Sequence, residues 1–73
     1  MKLDTKPGEK VRFVNEGGCA QERLIAQSRM TTGKVYTLEA IHVGGWHSVV
    51  QLEGVVGWHN TAMFVNVEAP DVL

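Results

Sequence analysis

The sequence predicts a small, mostly β domain: four or five short antiparallel strands in a partly open barrel, with one short helical insert. Three observations carry this. Apolar and polar residues alternate in several short runs. Glycine-containing turns separate those runs. The apolar stock, 44% of the chain, is dominated by valine, which suits strands. At 73 residues the chain is expected to be a single domain, ordered over about residues 8–67. A domain of this size buries only about 60% of the surface its unfolded chain exposes, so its core is small. Closing the sheet buries one side and protects its edges.

The elements follow in order. Pro7-Gly8 marks a turn. Lys10 to Val14 alternates, with Val11 and Phe13 on one side, and Asn15-Glu-Gly-Gly18 closes that strand. Residues 19–30 change character: Ala20, Leu24 and Ile25 form an apolar stripe beside Gln21, Glu22, Arg23 and Gln27, which predicts a helix of about two turns that needs the sheet to stabilise it. Thr31-Thr-Gly33 turns the chain. Residues 34–43 are the clearest strand, with Tyr36 and Leu38 on one side and a bulge near Ala40 to bring Ile41 inside. Gly44-Gly45 signals a hairpin, and Trp46 to Glu53 supplies the next strand, with Trp46, Ser48, Val50 and Leu52 sharing a face. Gly54 and Gly57 break the chain again. Asn60 is placed to cap one short turn before a last strand, Met63 to Val67, and residues 69–73 read as a frayed tail.

Charge is unevenly distributed. The first 34 residues hold seven basic side chains against four acidic ones, whereas the remainder holds four acidic side chains and no Lys or Arg. The net charge of −1 excludes a uniform basic footprint for duplex nucleic acid. The split suits a basic face that meets an acidic partner. Cys19 is the only cysteine, so no internal disulfide forms and a reducing, cytoplasmic setting is expected. No secretory leader and no membrane-length apolar run is read in the chain.

No catalytic constellation emerges. His42, His47, His59 and Cys19 follow no recognised zinc spacing, so no metal and no other cofactor is expected. Cys19 has no residue that can be named as its base, and the glycine pairs match neither a P-loop nor a dinucleotide fingerprint. The protein is expected not to be an enzyme. The residues that suit a binding surface are the cations Lys10 and Arg12 on the first strand, Arg23 and Arg29 on the helix, and the aromatic pairs at the two Gly-Trp-His triplets, Trp46 and Trp58 with His59. Large rigid tryptophans are the side chains enriched at binding hot spots.

The pattern Pro7-Gly8-x-Lys10-Val11-x-Phe13, Gly33-Lys34-x-Tyr36, Leu52-x-Gly54 and Phe64 resembles small SH3-like barrel proteins of bacteriophages. In length and overall sequence the chain is also similar to the RNA-polymerase-binding transcription regulators of phages that infect Xanthomonas. This resemblance implies a protein in the cytoplasm of the infected host that binds the N-terminal region of the largest RNA polymerase subunit. It further implies inhibition of promoter-dependent initiation by disfavouring sigma-factor engagement, and antitermination. A monomer without a membrane or specific DNA partner is expected. The alternative is a nucleic-acid-binding SH3-like barrel, which requires a continuous basic and aromatic face.

Overall fold

A computed structural model describes residues 1–67; the segment read as a frayed tail, 69–73, lies outside them. The elements run β1 (Lys10–Phe13), α1 (Ala20–Arg29), β2 (Val35–His42), β3 (Val49–Leu52), β4 (His59–Asn60), a 3-10 turn (Thr61–Met63) and β5 (Phe64–Asn66). The strands form one antiparallel five-stranded sheet in the order β4-β3-β2-β1-β5. The protein is therefore mostly β with one short helix. The sheet curls without closing into a tight barrel, and the 3-10 turn joins its two edge strands.

The alternation read in the first strand holds: Val11 and Phe13 are buried while Lys10 and Arg12 face out. β2 is the long central strand, and its register slips between Leu38 and Ala40, leaving Glu39 as the extra residue. Beyond the slip Ile41 pairs with Val50, so its side chain returns to the core side. Val11, Phe13, Leu38, Val50, Leu52, Met63 and Phe64 fill the interior, with Phe13 and Phe64 tilted against each other at a centroid distance of 5.7 Å. Ala26 and Met30 complete it from the helix side.

Two expectations are corrected. The helix does not bury the stripe Ala20, Leu24 and Ile25; all three are exposed, and Ala26 with the C-cap Met30 faces the core. Ala26 is the one side chain of the helix that joins the core cluster, with Met30 just past its end. The strand expected from Trp46 starts only at Val49. Gly44 folds so tightly that a Cβ there would lie 2.4 Å from the His47 carbonyl oxygen. Residues 43–48 therefore form a loop, and Trp46 projects from it with 99% of its surface exposed.

Residues ahead of Pro7 fold back over the edge strand. The Met1 amine donates to the Phe64 carbonyl at 2.9 Å, the Lys2 N–H donates to Asn66 Oδ1 at 2.7 Å, and Asn66 Nδ2 donates to Thr5 Oγ1 at 2.8 Å. These bonds occupy polar groups that an open edge would otherwise present.

Candidate functional site

The site is built around the junction of α1 and β4. Cys19 is the N-cap of helix α1, and its backbone N–H donates to Glu22 Oε1 at 3.0 Å. This reach-back of a glutamate in the first turn satisfies a helix N–H that has no partner inside the helix. The same hydrogen bond holds the Glu22 carboxyl below the usual glutamate range. The Cys19 and Asn60 side chains and the field of His47 act in the same direction, while partial burial opposes them. Beside Glu22, at the end of β4, Asn60 caps the 3-10 turn, its Oδ1 accepting from the Ala62 N–H at 2.9 Å. The expected capping role of Asn60 is observed.

Between these two caps lies a small dent of about 80 Å³, lined by Glu22, Ile25, Val49, Trp58, His59, Asn60 and Met63. Trp58 is 49% exposed and Ile25 is 44% exposed, so both present apolar surface to solvent at its rim. The loop carrying Trp46 runs alongside. Ser48 anchors it, with its carbonyl accepting from the Thr61 N–H at 3.0 Å and its hydroxyl from the Gly44 N–H at 3.2 Å.

The residues singled out from sequence divide into three groups. Trp46 and Trp58 are exposed and lie on loops flanking this face. His59 is only 4% exposed, with its Nε2 3.0 Å from the Val56 carbonyl oxygen, and it serves as a wall of the dent instead of a surface contact. The cations serve the fold. Arg23 donates to the Gly17 and Gly18 carbonyls at 3.0 and 3.1 Å, Arg29 to the Val56 carbonyl at 3.2 Å, and Arg12 to the Gly33 carbonyl at 2.6 Å. Lys10 hydrogen-bonds Thr37 Oγ1. Lys10 and Arg12 lie on β1, three strands from β4, so they are not gathered with the aromatics of the dent.

Sequence reasoning passed over Glu22, Ile25 and Val49. The signal for Glu22 was present in the Cys19-x-x-Glu22 spacing at a helix start, which puts a carboxylate at the helix mouth. Nothing local marks Ile25 and Val49, because each looks like an ordinary apolar residue of its element. Among the described residues no three His, Cys, Asp or Glu side chains gather into a metal-ligating cluster, and no helix is long and apolar enough to cross a membrane. No family model, no curated protein and no solved structure matches the chain.

Proposed function

We propose that this chain is a protein-docking module of the open SH3-like barrel type that binds bacterial RNA polymerase through the largest subunit's N-terminal region. In this reading it hinders promoter-dependent initiation by disfavouring sigma-factor engagement and promotes antitermination. The observation that carries a docking role is Trp58, half-exposed at the rim of an apolar dent and accompanied by the fully exposed Trp46. Aromatic anchors beside a concavity are what interface hot spots are made of. The strand order and the 3-10 turn ahead of β5 support the SH3-like assignment. The polymerase as partner rests on the phage-protein resemblance of the sequence.

A domain this small offers roughly 800 Å² to a partner, enough for a specific interface. No catalysis is needed in this reading, because binding only the polymerase state that excludes sigma shifts the coupled equilibrium. The nucleic-acid alternative calls for cations interleaved with the aromatics. Here the charged side chain lining the dent is the Glu22 carboxylate, which repels phosphate, so the protein partner is preferred.

The test is capture of Xanthomonas RNA polymerase core and holoenzyme by the purified, tagged protein, followed by promoter-dependent transcription. Stoichiometric capture with fewer promoter complexes is expected. Trp58→Ala is expected to weaken capture by about tenfold or more, with an unchanged circular dichroism spectrum. Absence of capture at micromolar protein and low salt would overturn the polymerase reading.

A further inference from the structure

The chemistry of the dent beside Trp58 is more specific than that of an apolar patch. Its lining contains one carboxylate, one exposed indole and the aliphatic side chains of Ile25 and Val49. We infer that it is a socket for a single arginine side chain of a protein partner. The guanidinium stacks on the Trp58 indole and donates an N–H to Glu22, and its aliphatic stem lies over Ile25 and Val49. The inference rests on the docking reading of this face; it does not depend on which protein supplies the arginine.

Size, charge and saturation select this occupant. A volume of about 80 Å³ takes the end of one side chain, whereas drug-sized ligands fill pockets of roughly 300 Å³ and more. The hydrogen bond from the Cys19 N–H favours the ionised form of Glu22. An apolar anchor seated in the dent would strip water from that carboxylate without replacing it, and a phosphate would be repelled. A carboxylate offers about four acceptor positions. The Cys19 N–H takes up one of these positions. Lysine satisfies the charge but cannot stack its compact ammonium as a planar guanidinium does.

A second copy of the chain is a poor source of the arginine. The protein has three, and each guanidinium is already engaged: Arg12 on Gly33, Arg23 on Gly17 and Gly18, Arg29 on Val56. Self-association through this socket would break one of those contacts. A different protein that presents an exposed arginine has no such cost.

The experiment titrates N-acetyl-arginine methylamide into the 15N-labelled full chain, with the neutral citrulline analogue in parallel, and follows the backbone amides and both indole N–H signals. The arginine probe is expected to move the Trp58 indole and the amides of Ile25, Val49 and Asn60, with an affinity about tenfold above that of citrulline. The Trp46 indole, outside the dent, is expected to stay in place. Glu22→Gln should erase the preference for arginine. Ile25→Lys, at a half-exposed position on the rim, should erase it by putting a cation in the socket. Equal shifts with both probes, shifts centred on Trp46, or an arginine preference that survives in Ile25→Lys would each overturn the socket. The probe contains no polymerase, so its failure leaves polymerase capture to be judged separately, and a failed capture leaves the socket standing.

Discussion

Gly17 shows how one residue can couple two elements. It has φ +71°, and a Cβ there would lie 2.8 Å from both the Cβ and the carbonyl oxygen of Ala62 in the 3-10 turn. An L-residue would carry the left-handed backbone cost of about 1–2 kcal/mol and would also push into backbone that cannot swing aside. Gly17→Ala is therefore expected to destabilise by about 2–4 kcal/mol in urea unfolding. Gly8→Ala, with φ +95° but open space around the Cβ, should cost only about 1 kcal/mol. Glu22 makes a pH prediction at the same scale. Its folded-state pKa lies below the ordinary value because the Cys19 N–H bonds the ionised form. It therefore contributes stability above the ordinary glutamate pKa, and that contribution is lost as pH falls through the folded value. Thermal melts should place Glu22→Gln below the wild type at neutral pH, with the gap closing below about pH 4.

At the scale of the element, α1 is secured at its ends and at one point along its length. Glu22 satisfies its start, the Met30 N–H donates to the Ala26 carbonyl at its end, and Arg29 in the last turn suits the helix dipole while holding Val56. The one fully buried helix side chain is Ala26. The helix must therefore lie close to the sheet, and closeness is what shapes the dent between Ile25 and Trp58. Ala26→Leu is expected to push the helix outward and lower stability by about 1–3 kcal/mol, read as a shift of the urea midpoint with unchanged slope. Because the displacement opens the dent, the same variant should also weaken polymerase capture.

At the scale of the whole molecule, nine buried apolar side chains among the described residues hold five strands and a helix together. A domain of 73 residues has a total stability of only about 4–10 kcal/mol. Phe64 sits at its centre, paired with Phe13 across β1 and β5. Phe64→Ala should cost about 3–5 kcal/mol, enough to leave much of the protein unfolded at 37 °C; amide dispersion of a molten or unfolded chain in the 15N spectrum would show it. The whole-molecule arrangement also separates the charges. The lysine and arginine of β1 sit near one edge of the sheet, whereas the aromatic face lies by the other edge strand. A change on β1, such as Lys10→Ala, leaves the proposed docking face unaltered.

Strand identity was legible locally because a half-buried strand writes its two-residue period into the chain. Val11 and Phe13, the slip near Ala40 and the Asn60 cap all follow from residues within a few positions of one another. The helix was legible too, although its buried face was not. Leu24 and Ile25 look like the natural inward residues, yet the helix docks with Ala26 inward and leaves both of them exposed. The two-residue alternation runs on through Trp46, but the tight fold of Gly44 onto His47 delays the strand to Val49. The sequence by itself thus determined the class of the fold, its turns and its inward-facing strand residues. The tertiary structure alone decided that the arginines are engaged on the chain's own carbonyls and that His59 is interior. It also decided that Glu22, Ile25, Val49 and Trp58 meet. Local patterns depend on neighbours a few residues apart, whereas this meeting joins residues up to 36 positions apart in the chain, from Glu22 to Trp58, and only the packing of α1 on β4 brings them together.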